Sequence, residues 1–195
     1  MNSTGDRVAG DGGPVARPVS DAWFARDTLD VARDLVGATL EFGALAARIV
    51  EVEAYKGDAA SHFVTRPRTA SMMGTTFGRI YVYRIYGMHR CVNVTTDRSG
   101  PGAVLLRALE PIRGADDMRR RRGVARDTDV ASGPAKLFVA LGLDDAILGR
   151  SACDVFTITP AAGRVDVASG PRIGISKATA LPWRFWLRGN PHVSR

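Results

Sequence analysis

The run from Leu45 to Val50 is largely apolar and continues as Glu51-Val52-Glu53-Ala54-Tyr55. Read as a buried strand, it sends successive side chains to opposite faces. Glu51, Glu53 and Tyr55 then share one face, and Val50, Val52 and Ala54 share the other. Ala38 to Phe42 completes a hairpin with it around Gly43. Upstream, Leu29, Ala32, Leu35 and Val36 recur at helical spacing, with Asp27 or Thr28 as cap and Gly37 as stop. Ser20 or Asp21 could cap a short turn at Ala22-Trp23-Phe24. Downstream, Ile80 to Ile85 and Arg90 to Thr95 read as strands turned by Tyr86-Gly87-Met88. Ala103 to Leu109 reads as a third, closed by Glu110-Pro111 because the residue before proline avoids helix. Asp116 to Arg122 reads as a short helix ending at Gly123, and Gly123 to Val130 as a polar linker. Ser132-Gly133-Pro134 opens a helix to about Leu141, with serine as cap and proline near the first position. Val155 to Thr159, Gly170 to Ile175 and Phe185 to Leu187 read as late strands.

Short turns between strands, interspersed helices and the absence of regular β-α-β alternation predict a mixed α+β fold on an antiparallel sheet. No internal repeat is present. Lys56 to Gly78 carries little pattern, and loops of that length are usually functional or mobile. It holds His62, Arg66, Arg68 and Gly74. Met1 to Ser20 is rich in Gly, Pro and small polar residues and reads as a disordered tail, leaving 21–195 as one domain.

The chain has 195 residues, 45% of them hydrophobic, enough for a single core. Lysine and arginine number 27 against 20 acids, a net charge of +7. The balance points to polyanions or anionic membranes, although inert basic surfaces are also common. Cys91 and Cys153 stand far apart, and His62, His89 and His192 are scattered, so no metal-ligand spacing is present. A reducing cytoplasm suits such cysteine usage. No apolar run reaches the ~20 residues of a membrane span, and the first residues lack the build of a signal peptide. The expectation is a soluble, intracellular protein that binds no metal and no cofactor, with a monomer as the default.

Three stretches offer chemistry. Two carboxylates and a phenol on one face of an apolar strand must be paired, hydrated or put to work; Glu53 beside a stacked nucleobase could activate a water. An edge strand with a solvated acidic face is the plain alternative. Tyr81 and Tyr83 share a strand face, where tyrosine is often core, and core is the preferred reading for Tyr81; spacing leaves Tyr83 and Tyr86 open. Tyr86, on a turn beside Gly87, could wedge between bases. Ser132, Gly133 and Lys136 stand at a helix start, where free N–H groups suit a phosphate. Arg119 to Arg122 reads as a solvated face. Asn93 and Arg107 sit on apolar strands, and alternation could put either at solvent; burial would demand fixed partners.

From about Phe24 to Ser194 these residues resemble the alkyladenine (3-methyladenine) DNA glycosylases. The likeness rests on Glu51-Val-Glu-Ala-Tyr55, Tyr81-Val-Tyr83 with Tyr86-Gly-Met88, Cys91-Val-Asn93 and Leu105-Leu-Arg-Ala-Leu-Glu-Pro111. It continues through Ser132-Gly-Pro-Ala-Lys-Leu137, Arg172-Ile-Gly-Ile175 and Arg184-Phe185 with Arg188-Gly-Asn-Pro-His-Val-Ser194. The resemblance implies a curved, open-barrel-like sheet with surrounding helices and a protruding hairpin. It implies a base-excision enzyme without metal that bends double-stranded DNA, flips out a damaged purine and hydrolyses its N-glycosidic bond. By that likeness Glu53 is the general base and Arg107 holds the water and a phosphate. Tyr55, His62 and Tyr83 stack on the base, Asn93 discourages guanine, and Tyr86 fills the vacated stack. Ser132, Gly133 and Lys136 meet the DNA backbone, and Glu51 is structural. The implied place of work is the cytoplasm, at the nucleoid. Two departures stand out: Phe63 to Gly74 keeps an Arg-Thr but not the family's Pro-Arg-Asn, and His192 replaces a common aromatic. A binding module of the same fold that has lost its chemistry is the alternative, and a membrane-surface protein is weaker because the arginines lie on no long amphipathic helix.

Overall fold

A computed structural model describes residues 16–194. Its helices are α1 (Thr28–Leu35), α2 (His62–Thr65), α3 (Met72–Thr75), α4 (Ala115–Arg122), α5 (Asp127–Val130), α6 (Pro134–Leu141) and α7 (Ala152–Val155). Its strands are β1 (Thr39–Phe42), β2 (Leu45–Tyr55), β3 (Ile80–Ile85), β4 (His89–Thr96), β5 (Gly102–Arg113), β6 (Thr157–Thr159), β7 (Val167–Gly170) and β8 (Arg184–Leu187). All pairings are antiparallel, in the order β3-β4-β5-β2-β1-β6, and β8 adds to β2 and carries β7. The eight strands form one open sheet within a mixed α/β single domain, as expected from the sequence.

β2 is the spine. One edge pairs with β5, while β1 takes Leu45 to Arg48 and β8 takes Glu51 to Glu53. The β2–β5 register shifts between Ile49 and Glu51 and again between Glu51 and Val52. That bulge changes which parity faces the core. Leu45, Ala47 and Ile49 pack there before it, Val52 and Ala54 after it. Without the irregularity, the alternation begun at Leu45 would drive Glu51 and Glu53 into the apolar core.

The core face packs against α1, α4 and α6. Asp27 caps α1, its Oδ1 accepting from Leu29 N at 2.8 Å, and the helix buries Val31, Ala32 and Leu35. α4 contributes Met118, α6 contributes Leu137, Phe138 and Leu141, and the sheet answers with Val92, Val94, Val104, Leu106 and Leu109. Each such side chain contributes about 1.5–3 kcal/mol on burial. The arginines of α4 stand in its last turn, where cations complement the helix dipole. The sequence read them as a solvated face, and Arg120 and Arg121 are exposed while Arg119 and Arg122 are half-buried; Arg119 pairs with Asp116 and Asp127, Arg120 with Asp117, and Arg121 and Arg122 donate to Ala140 O and Val130 O.

Several expected boundaries are corrected. β5 runs through Glu110-Pro111 instead of ending there. Leu109 N donates to Ala131 O, away from β2, so two residues on Pro111 presents its missing N–H to the same unladdered edge. The strand expected over Gly170 to Ile175 is instead Val167–Gly170; after Pro171 the chain leaves the sheet and crosses the site described below. Val155 belongs to α7, and the strand after it starts at Thr157. The patternless stretch after Lys56 holds the four-residue helices α2 and α3, too short to show periodicity. Gly133, not Ser132, is the N-cap residue of α6 and supplies no side-chain cap, while Ser132 Oγ instead accepts from Lys136 Nζ at 3.3 Å. Of the expected tail, residues 1–15 lie outside the described residues; Val19 packs on the core and its N–H donates to Ile158 O.

Candidate active site

Opposite the core face, β2 to β5 turn one set of side chains into a cavity of about 470 Å³, within the usual ~300–1,000 Å³ of small-ligand sites. Glu53 and Tyr55 come from β2, Tyr81 and Tyr83 from β3, Asn93 from β4, and Leu105 and Arg107 from β5. Their neighbours in sequence, Val52, Val82, Val92, Val94, Val104 and Leu106, pack on the core side. The period-2 rule thus sorts chemistry from packing across four strands.

Two carboxylates anchor the floor, and both Glu51 and Glu53 are completely buried. Arg107 bridges them, its Nε donating to Glu51 Oε1 at 3.2 Å and its Nη1 to Glu53 Oε1 at 3.1 Å. Glu51 also accepts from Arg184 Nε at 2.6 Å and from Ser194 N at 2.7 Å. Glu53 Oε1 accepts a further bond from Ile173 N at 2.7 Å, and Oε2 accepts from Tyr55 Oη at 2.8 Å. Buried charge is tolerable only when paired and hydrogen-bonded this fully. The two acids differ in consequence. Glu51 is enclosed by structural donors and does not line the cavity, whereas Glu53 does.

The walls are aromatic. His62, from α2, meets Tyr83 edge-on with centroids 4.3 Å apart, and Tyr81 stacks on Tyr83 at 6.0 Å. His62 Nδ1 lies 3.2 Å from Tyr81 Oη. Burial, helped by the nearby charge of Arg66, lowers the His62 pKa to about 4, so its ring is neutral at pH 7. Burial first, and then the charge of Glu53, raises the Tyr55 phenol far above its usual value, so it stays a donor. Tyr81 is buried, as expected, yet it lines the cavity as well as packing. Asn93 is buried, and its Nδ2 donates to Tyr81 O at 3.1 Å, which fixes the amide at the wall.

Tyr86 stands 90% exposed at the tip of the β3–β4 hairpin, at the cavity's rim, with φ of 53°. Ser132 and Lys136 lie elsewhere, in a smaller cleft of about 140 Å³ with Arg126 and Thr128. Pro134 between them reaches the main cavity, so the start of α6 borders both. Among the described residues no group of His, Cys, Asp and Glu could hold a metal ion. No described helix is long and apolar enough to cross a membrane.

Residue-by-residue reasoning missed Arg172. Its Nη1 and Nη2 donate to Asp58 at 3.0 and 2.6 Å, Nη1 also donates to Ala54 O, and the guanidinium lies 4.6 Å over the Tyr55 ring. Ile173, which follows it, is the residue that reaches Glu53. The motif Arg172 to Ile175 was the available signal; nothing near it in sequence announces Asp58.

The sequence profile of the methylpurine-DNA glycosylase family matches residues 22–191. Among curated proteins the chain is similar to several provisionally named 3-methyladenine DNA glycosylases. One from Nitrosospira multiformis is 45% identical over 88% of this chain and 91% of its own length. One from Methanoculleus marisnigri is 46% identical over 89% and 97%, and one from Nocardia farcinica is 46% identical over 86% of each.

Proposed function

Since the chain belongs to the methylpurine-DNA glycosylase family, we propose that it is a DNA-repair hydrolase acting on N-glycosyl bonds. In this reading it works as a monomer on damaged purines in duplex DNA, at the nucleoid, and leaves an abasic site. The observation that carries the reading is Glu53, held by Arg107, Ile173 and Tyr55 at the floor of a cavity walled by Tyr55, His62 and Tyr83.

A base inside the duplex is out of reach, so the target nucleotide is extruded at a cost of a few kcal/mol. Tyr86, projecting from the hairpin, occupies the vacated stack. The purine enters between the aromatic walls, and Asn93, its amide fixed on Tyr81 O, crowds a guanine amino group. Glu53 takes a proton from water as the oxygen bonds to C1′. The C1′–N bond breaks with its electron pair going to the base. The glutamate charge also favours the developing sugar cation. Arg107 holds Glu53 in place through the pairing with Glu51 and orients the water beside a phosphate. The start of α6, with Ser132, Gly133 and Lys136, meets the DNA backbone.

The test is Glu53→Gln. Single-turnover excision of 3-methyladenine or hypoxanthine from a defined duplex should fall by roughly 10²–10⁴, with lesion binding largely kept. Excision near the wild-type rate would remove Glu53 from the role of base. A binding module that has lost its chemistry would hold lesion DNA and yield no abasic sites even as wild type.

A further inference from the structure

We propose that Arg66 is a specificity-determining residue that tilts the cavity toward uncharged purine lesions and against cationic ones. The inference rests on the glycosylase reading above and names the substrate class that this site prefers.

Arg66 follows α2 and lines the cavity together with His62 and Tyr86. The other charges around the site cancel. Glu51, Glu53 and Asp58 are matched by Arg107, Arg184 and Arg172 in direct ion pairs. His62, half-buried against the tyrosines, stays uncharged at pH 7. Among the described residues Arg66 has no carboxylate within ion-pair distance, so its positive charge is the one left over at the cavity wall. Arg66 is an exposed side chain that lines the same cavity as His62 and Tyr81, and its charge adds to burial in lowering the His62 pKa and partly offsets burial at the Tyr81 phenol.

The sign of its effect follows from the leaving group. In either substrate class the C1′–N bond breaks with its electron pair going to the base, while the water oxygen bonds to C1′ and its proton passes to Glu53. An uncharged purine such as hypoxanthine departs bearing negative charge and then takes a proton from solvent. A fixed cation attracts it increasingly as the bond breaks. A cationic purine such as 7-methylguanine starts positive and departs neutral, so Arg66 opposes its entry into the cavity. The aromatic walls favour cations by themselves, and Arg66 works against that preference.

The experiment compares Arg66→Gln and Arg66→Lys with wild type on two duplexes, one carrying hypoxanthine and one carrying 7-methylguanine. Single-turnover rate and half-saturating enzyme concentration are measured for each at low and high salt. The Arg66 side chain makes no hydrogen bond among the described residues, and its backbone N–H bond to His62 O survives substitution. Glutamine should lower the hypoxanthine-to-7-methylguanine ratio of excision efficiency by roughly three- to tenfold, the effect of one partly screened charge, and lysine should keep that ratio. Equal losses on both duplexes, relieved by salt, would make Arg66 a phosphate contact and overturn the proposal. An unchanged or raised ratio would overturn it too. If wild type excises neither base but releases 3-methyladenine, this inference alone is overturned; if it releases none of the three, the glycosylase reading fails as well.

Discussion

Arg172 grips Asp58 with both terminal nitrogens, at 3.0 and 2.6 Å, across 114 residues of sequence. The pair is buried, and it ties the chain just after β2 to the segment that crosses the site. Ile173, next in line, then meets Glu53 through its N–H. The Arg172 guanidinium also lies over the Tyr55 ring, whose hydroxyl donates to the same carboxylate. One ion pair therefore holds two of the three groups that orient Glu53.

Asp58→Asn should destabilise the fold by about 3–5 kcal/mol, because it leaves a buried guanidinium without its counter-charge. Single-turnover excision should fall as well, with lesion affinity affected less than rate. Acid unfolding adds a second readout. Burial disfavours the Asp58 carboxylate, but bonds from Arg172 and from the Ala60 and Lys56 amides outweigh it and lower its pKa. The unfolded chain protonates this group near the usual ~3.9, and the folded chain at lower pH. Its contribution is thus complete above about pH 4 and is lost as pH falls below that. Urea titrations at pH 7 and pH 3 check both points; a variant as stable as wild type at pH 7 would show that the clamp contributes nothing.

Much of the site was legible in sequence, for a simple reason. Strand alternation is a local rule, so Glu51, Glu53 and Tyr55 could be put on one face, and Tyr81 with Tyr83 on another, from spacing alone. The same rule could not decide Asn93 and Arg107, because which face is solvated depends on what packs there. It also gave no warning of the bulge at Glu51, on which the placement of both acids depends. Gly170 to Ile175 reads as a strand. It is instead a crossing segment whose shape is set by Asp58 and Glu53, partners 114 and 120 residues away. Ser132 has the composition of a cap, yet Gly133 occupies that position and Lys136 takes the hydroxyl.

His62 should remain unprotonated throughout the neutral range. Its pKa of about 4 lies below the usual ~6.5. Between those two values the unfolded chain binds a proton that the folded chain refuses, so stability falls as pH drops from about 6.5 toward 4. His62→Phe should flatten that part of the stability profile, at a pH-independent cost of about 1 kcal/mol for the lost bond to Tyr81 Oη. Proton NMR of the imidazole should show a midpoint near 4. A midpoint near 6.5 would mean that the ring is open to water and is not a wall of the cavity.

Tyr86 offers the sharpest separation of fold from function. Its side chain is almost fully exposed, and its φ of 53° is one that non-glycine residues rarely adopt. Below the turn, Arg84 and Arg90 on the two arms of the hairpin both donate to Asp145 in exposed ion pairs. Tyr86→Ala removes no packing and keeps the same backbone strain, so stability should stay within about 0.5 kcal/mol of wild type. Tyr86→Gly relieves the strain and should raise stability by up to about 1 kcal/mol. Both substitutions should weaken lesion-duplex binding and slow excision, since nothing then fills the vacated stack. Thermal melts run beside single-turnover excision test the pair of claims. A glycine variant that is more stable and equally active would leave the exposed tyrosine without a role in DNA.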